Sequence, residues 1–379
     1  MLECINEWTL SLDRKDSVDV VYFDFSKAFD RVSHRMLLEK LEKLGFHSTI
    51  VSWIREYLRK RTFAVRVNSN FSSSREITSG VPQGSALSPV LFNIFTFELP
   101  TILAESSVIR CKVFADDTKV FKSFSNGERK EELQKCLDKM YNWSVDWGLP
   151  LSVEKTSVLH LGAKNPRQTY EINGIYLRKV DQNVRDLGFL LNQNLSFKDH
   201  VKHIIKSAKH RTYNLFKVLK TRNRNVWLKA YKTYVRPMVE FGTTVFNSDS
   251  GFVKKLESVQ NDFTRKLFFR LGGYTYCKIP SSAFRNKKLD LVTLESRRNT
   301  TDLIMIHKII TGQCGLRATD FFTFKPSRTR GSSSKFSFPT PKTSQRAKFF
   351  TVRAGSKYLK LIKKSKIPMS LSAAKKHFK

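Results

Sequence analysis

Asp19-Val-Val-Tyr-Phe-Asp-Phe, residues 19–25, and Val113-Phe-Ala-Asp-Asp-Thr, residues 113–118, are the stretches on which the reading of this chain turns. The first is a short apolar run of β-forming residues and reads as a buried strand ending in the carboxylate of Asp24. The second lies within Cys111–Phe121, which reads as a hairpin with apolar arms around Ala115-Asp116-Asp117. Two adjacent carboxylates at a turn repel each other and resist burial unless a cation neutralises them. If the strand lies beside the hairpin, three carboxylates converge. Such a set suits a hard divalent ion, Mg²⁺ or Mn²⁺, rather than zinc, which favours Cys and His. Two such ions about 3.5–4 Å apart are the machinery of in-line phosphoryl transfer. Taken singly, Asp24 also reads as a carboxylate capping a turn, and an Asp pair is common at hairpin turns.

Working outward, the spacing of Met36, Leu37, Leu38, Leu41 and Leu44 predicts a helix from about Ser33, stopped by Gly45. Ile50–Leu58 reads as a second helix and Phe63–Val67 as a strand. A Gly/Pro/Ser-rich turn, Ser79–Ser88, leads into the apolar run Val90–Phe97, expected to be a buried helix. Glu131–Trp147 has the pattern of an amphipathic helix, and Leu151–Leu161 includes a strand. The order predicts an α+β layout, one antiparallel sheet with helices on one face. Beyond residue 200 the pattern is mainly helical, with Lys202, Lys206 and Lys209 along one side of a helix and Val201, Ile204, Ile205 and Ala208 along the other.

Charge divides the chain more sharply than hydropathy does. The formal net charge is +35, from 68 Lys and Arg against 33 Asp and Glu. Residues 1–160 hold 22 basic and 21 acidic side chains, so nearly all of the excess lies in 161–379. Residues 201–236 carry 11 Lys and Arg and no acid, and 321–379 carry 16 and no acid. Such a surface calls for a polyanionic partner, nucleic acid first, through sequence-independent and salt-sensitive phosphate contacts. Tyr213, Phe216, Trp227, Tyr231 and Tyr234 interleave with these cations, but most read as helix core. The tail 321–379, rich in Ser, Thr and Pro, is expected to be loosely ordered.

Cys4, Cys111, Cys136, Cys277 and Cys314 are scattered, which argues against a disulfide framework or zinc knuckle and for a reducing compartment. The first residues have no signal-peptide core, and no apolar run approaches the ~20 residues that span a bilayer. The expectation is an intracellular protein, nuclear or cytoplasmic, with no membrane partner.

Five segments in order carry a resemblance. Val21-Tyr-Phe-Asp-Phe-Ser-Lys-Ala-Phe-Asp resembles motif A of reverse transcriptases, in the form found in non-LTR (LINE-type, Jockey-like) retrotransposons. Ser79-Gly-Val-Pro-Gln-Gly-Ser-Ala-Leu-Ser-Pro resembles motif B, and Phe114-Ala-Asp-Asp is similar to the box of motif C. Trp147-Gly-Leu-Pro-Leu-Ser-Val-Glu-Lys-Thr resembles motif D, and Arg185-Asp-Leu-Gly-Phe-Leu-Leu resembles motif E, the primer grip. The resemblance implies a right-hand polymerase palm over 1–160, a primer-grip connection over 161–200, a helical thumb-like region over 201–320 and the basic tail over 321–379.

It also implies roles. Asp24 and Asp116 would ligate two Mg²⁺ ions, Mn²⁺ being an alternative, with Asp117 and the backbone carbonyl of Phe25 contributing. Phe29 matches the steric gate that excludes a 2′-hydroxyl. Gln83 and Gly84 match residues bordering the incoming nucleotide, and Lys155 matches the lysine proposed to protonate the leaving pyrophosphate. Leu187 and Gly188 would meet the primer, and Lys202, Lys206, Lys209, Arg211, Lys217 and Lys220 the phosphates behind it. The implied partners are an RNA template, a DNA primer and deoxynucleoside triphosphates.

One departure is that motif A begins close behind Met1, where the family has a fingers region first. Another is Ser88, where relatives usually have Gly. The expectation is a truncated or partial copy of an RNA-directed DNA polymerase, with impaired activity. The rival reading is a non-catalytic nucleic-acid-binding remnant that keeps the palm as scaffold.

Overall fold

A computed structural model describes residues 1–125, 131–246, 250–272, 274–275, 278–326, 334–337, 340–364 and 370–378. Cys277 lies outside them. The chain forms two compact units, one of Asp16–Gln182 and one that joins Met1–Lys15 to Asn183–Lys379. That division differs from the boundaries expected from sequence: the first unit runs past residue 160, and the first helix, α1 (Leu2–Asp13), belongs to the second.

The unit 16–182 is built on a five-stranded sheet. Its strands are β1 (Ser17–Phe23), β2 (Ile109–Phe114), β3 (Asp117–Phe124), β4 (Ser157–Leu161) and β5 (Arg178–Lys179), in the order β5-β4-β1-β3-β2. Four strands are antiparallel, as the sequence implies. The edge strand β5 departs from this and runs parallel to β4.

β1 sits at the centre because alternate residues are apolar on both of its faces. Val21 and Phe23 join the core cluster, and Val20, between Phe121 and Leu159, is fully buried on the other face. The helices α2 (His34–Lys43), α3 (Ser48–Leu58), α4 (Ser88–Phe95) and α5 (Glu131–Asp146) supply Leu37, Leu41, Ile54, Phe92, Leu137 and Met140 to that cluster. Ser33 caps α2 by accepting from the Met36 N–H, and Gly45 ends it at φ +79°. The expected strand Phe63–Val67 is broken into two short pairs, Thr62–Phe63 with Arg75–Glu76 and Arg66–Val67 with Asn70–Phe71.

Asp19 opens the stretch that decides the fold, yet it is 1% exposed. Its carboxylate lies 2.7 Å from His160 Nδ1 and accepts 2.7 Å hydrogen bonds from Asn165 Nδ2 and Tyr170 Oη. That satisfaction is what makes a buried carboxylate tolerable mid-strand.

The second unit is mainly helical. Besides α1 it contains α6 (Lys198–Val218), α7 (Ser250–Leu271), α8 (Leu294–Ile310) and α9 (Phe350–Lys364), with a small hairpin of β6 (Val184–Asp186) and β7 (Phe189–Leu191). Trp227 and Tyr231 are fully buried, stacked respectively on Phe216 and Phe263, so these aromatics are core. Tyr213 and Tyr234, at 58% and 54% exposure, are not.

The described part of the tail contributes contacts to the helical unit. α9 buries Phe350 and Tyr358, and Arg353 within it holds the buried Asp302 of α8 by two bonds of 2.8 and 2.9 Å. Arg346 is buried against α1, donating to Asn6 Oδ1 and Thr9 Oγ1, while Asp13 Oδ1 accepts the backbone N–H groups of Lys342 and Thr343. Composition flagged the cations but not the apolar and acidic partners they meet in three dimensions. No helix among the described residues is long and apolar enough to cross a membrane.

Candidate active site

Asp24 follows β1 directly. β1 and β3 pair Phe23 with Thr118, so Asp24 and Asp117 are the next residues beyond that pair on the two segments. The β2–β3 hairpin pairs Phe114 with Asp117, leaving Ala115 and Asp116 as its two-residue turn. Ala115 has φ +54°, a left-handed conformation that costs a non-glycine residue roughly 1–2 kcal/mol. Asp116 and Asp117 are exposed and Asp24 is half-buried. The sequence thus brings the three acids to one end of the central strands.

The rest of the expected cluster departs from the reading. Among the described residues no group of three or more His, Cys, Asp or Glu side chains stands close enough to hold a metal ion. Asp24 instead faces Lys155, whose Nζ lies 3.8 Å from Asp24 Oδ2. In kind the donors still fit a hard divalent ion: three carboxylates reachable from solvent and no thiol or imidazole among them.

The segment 147–156 is held on the strand end by backbone bonds. Ser26 N–H donates to Pro150 O at 2.9 Å, Ser152 N–H to Asp24 O at 2.7 Å, and Asp24 N–H to Thr156 Oγ1 at 3.4 Å. These contacts set Lys155 beside Asp24. The pair is 74% and 46% exposed at its two side chains, so its value is positional rather than energetic.

The turn at 79–84 is stitched to Phe29–Val32. Val81 N–H donates to Phe29 O at 2.7 Å, Gly80 N–H to Val32 O at 2.8 Å, and Ser79 Oγ to Asp30 O at 3.0 Å. Gln83 Nε2 donates to Asp30 Oδ1 at 3.0 Å. Phe29 is half-buried and stacked on Phe92, ring centroids 4.7 Å apart. A cavity of about 720 Å³ opens here, its wall including Lys27, Asp30, Arg61 and Gln83. Sequence reasoning assigned no role to Asp30, Lys27 or Arg61; Asp30 closes the quoted motif A stretch, but nothing local marks it as the partner of Gln83.

The two glycines of this turn serve different needs. Gly80, at φ +90°, lies so near Asp30 that a Cβ would be 2.7 Å from its carbonyl oxygen. Gly84, at φ +83°, has open space around it. Gly80→Ala is therefore expected to cost about 2–4 kcal/mol through strain and clash, against about 1–2 kcal/mol for Gly84→Ala through strain alone. Urea denaturation of both variants measures the gap, and equal losses would contradict the close approach.

In the second unit, Leu187 and Gly188 form the two-residue turn of the β6–β7 hairpin. Lys202, Lys206, Lys209, Arg211, Lys217 and Lys220 are all exposed on α6 or just beyond it. Two of them are engaged, Lys202 with Asp199 at 3.4 Å and Lys209 with Asp262 at 2.9 Å. On the inner side of α6, His200 is 2% exposed, and its Nδ1 accepts the Leu190 N–H at 3.4 Å. Burial, with a smaller push from His203, lowers its pKa from 6.5 to about 4. The folded protein therefore refuses a proton that the unfolded chain accepts. This contribution is complete above pH 6.5 and is lost as pH falls toward 4, by about 3 kcal/mol. His200→Asn, whose Oδ1 can replace Nδ1 as acceptor, is expected to lose less stability between pH 7 and pH 4.5 than the parent. Parallel denaturation curves at both pH values check this.

The family model described as "Reverse transcriptase (RNA-dependent DNA polymerase)" matches residues 7–193. The RNA-directed DNA polymerase from mobile element jockey of Drosophila melanogaster is 27% identical over 267 residues, 68% of this chain and 29% of that protein. Its counterpart in Drosophila funebris is 30% identical over 268 residues, with the same coverage of 68% and 29%. The probable RNA-directed DNA polymerase from transposon BS of Drosophila melanogaster is 30% identical over 248 residues, 62% of this chain and 27% of that protein. The chain thus spans under a third of the length of these relatives. Among solved structures, a telomerase from Candida albicans in complex with a fragment of telomeric RNA aligns with 71% of this chain and 47% of that one, at 17% identity and TM-score 0.36. That likeness is too loose to bear on function.

Proposed function

Since the chain belongs, through residues 7–193, to the reverse transcriptase family, we propose that its site copies RNA into DNA by adding deoxynucleotides to a primer 3′ end. The observation that supports this is the pairing of β1 with β3, Phe23 on Thr118, which leaves Asp24 and the Asp116–Asp117 turn at the same end of the sheet.

On this reading Asp24, Asp116 and the Phe25 carbonyl would hold two Mg²⁺ ions, with Asp117 contributing. Bound there, the ions supply Lewis-acid neutralisation of phosphate charge. Everything else falls to the chain. Phe29, its ring fixed on Phe92, lies beneath the sugar and clashes with a 2′-hydroxyl. Gln83, oriented by Asp30, and Gly84 border the nucleotide, whose phosphates the Lys27 and Arg61 side of the cavity can receive. Lys155, its Nζ 3.8 Å from Asp24 Oδ2, would pass a proton to the departing pyrophosphate. The exposed cations of α6 take template and primer phosphates, and Leu187 and Gly188 touch the primer end.

The test is primer extension on poly(rA)/oligo(dT) with Mg²⁺, run beside Asp116→Ala. Extension by the parent and none by the variant supports the polymerase. Retention of the hybrid with no extension by either identifies a scaffold that binds without catalysis.

A further inference from the structure

The β6–β7 hairpin ends in an unusual turn. Leu187 and Gly188 both have positive φ, +46° and +86°, the backbone of a tight hairpin turn whose first position normally takes Asn, Asp or Gly. A leucine there is strained, and its side chain is half-exposed. Below the turn, Phe189 is 3% exposed and lies flat on Phe241, ring centroids 5.5 Å apart and planes 21° from parallel. The ring of His200 is 5.2 Å from Phe189. Gly242, at φ +62°, leaves the space that Phe189 fills: a Cβ there would come within 2.2 Å of Phe189 Cζ. Phe241 also passes under the turn, since a Cβ on Gly188 would meet its Cε1 at 3.6 Å. Phe241 is nevertheless 60% exposed.

We propose that Phe241 and Gly242 form a shelf that fixes the height and tilt of the Leu187–Gly188 turn, and so act as positioning residues for the primer end. This rests on the polymerase reading of the hairpin. Gly242 admits the Phe189 ring, Phe241 stacks on it, and His200 holds the following residue by its N–H. The turn is thereby braced against displacement by a strand pressing on Leu187. The open surface of Phe241 continues the apolar patch of the turn toward the same strand, where a flat ring suits a sugar or base.

The experiment compares the parent with Phe241→Leu, Phe241→Tyr and Gly242→Ala. It measures extension kinetics for primer–template and for deoxynucleotide separately, and fluorescence anisotropy on a recessed-primer hybrid and a blunt duplex. Phe241→Leu is expected to raise the KM for primer–template about tenfold while leaving the KM for deoxynucleotide unchanged, the signature of a misplaced substrate end. Phe241→Tyr restores the parent value. Gly242→Ala behaves like Phe241→Leu or fails to fold, and Phe241→Leu keeps the question open to measurement in that case. Equal loss on both substrates, with a lower melting temperature, would make the shelf merely structural and overturn the proposal. A parent that extends nothing defeats the polymerase reading instead. Anisotropy then decides the shelf: preference for the recessed end, lost in Phe241→Leu, sustains it, and equal binding of both duplexes overturns it.

Discussion

Asp24→Asn is expected to reduce primer extension by about a thousandfold or more, while leaving retention of an RNA–DNA hybrid within about twofold of the parent. The substitution keeps the size of the side chain and its position at the end of β1. It removes the charge that a divalent ion requires, and an amide is a far weaker ligand for Mg²⁺ than a carboxylate. The fold should not suffer, because Asp24 is half-buried and its exposed pairing with Lys155 contributes little to stability. Lys155→Met makes the informative contrast. If Lys155 moves a proton late in the reaction, its loss lowers kcat by about 10²–10⁴-fold. A Lys155→Met variant as active as the parent would confine that lysine to neutralising Asp24. An Asp24→Asn variant with near-parent extension would remove the carboxylate cluster from the chemistry altogether.

The largest stability effect is expected at Asp302→Ala, a loss of about 3–5 kcal/mol. Asp302 is 1% exposed and takes both prongs of Arg353, which also donates to the carbonyls of Thr243, Phe246 and Lys348. Arg298, 5% exposed, binds the same Thr243 and Phe246 carbonyls from α8. Burial works against two of these charges: it pushes the Asp302 carboxyl up even beside Arg353, and it lowers Arg298 to about 9. Removing the one acid leaves two guanidinium groups in the interior with no counter-charge. Replacing the pair together, Asp302→Leu with Arg353→Met, should come closer to neutral, because the desolvation cost disappears with both charges. Thermal and urea unfolding of the single and double variants test this. A single variant that loses under about 1 kcal/mol would mean that water reaches the site.

How far the sequence spoke depended on whether a pattern was local. The strand ending at Asp24 and the Cys111–Phe121 hairpin were legible because short apolar runs punctuated by acids carry their own register. The helix begun by Ser33 and stopped by Gly45 was legible from its caps. Asp19 was not. It stands in an apolar strand with no sign that His160, Asn165 and Tyr170 would surround it, since hydrogen bonds between distant segments leave no trace in spacing. The contacts of the tail were hidden for a related reason. A count of lysines and arginines reads as a solvated polyanion surface, but Arg346 is buried against α1 and Arg353, largely covered, is paired with Asp302 of α8. At the site, family wording pointed to Gln83, Phe29 and Lys155, whereas Asp30, which orients Gln83, emerged only from the geometry.

The clasp between α1 and the segment at Lys342–Arg346 also bears on how the polypeptide matures. Asp13 and its partner Thr343 are 330 residues apart along the chain. α1 is translated well before its partners, and the acceptors it offers through Asn6, Thr9 and Asp13 stay unfilled until Lys342–Arg346 have been added. The sheet of residues 16–182 needs no such delay, because every strand in it pairs within that stretch. A ring closed across so long a stretch is slow to form, and it leaves the apolar side of α1 exposed until its partners arrive.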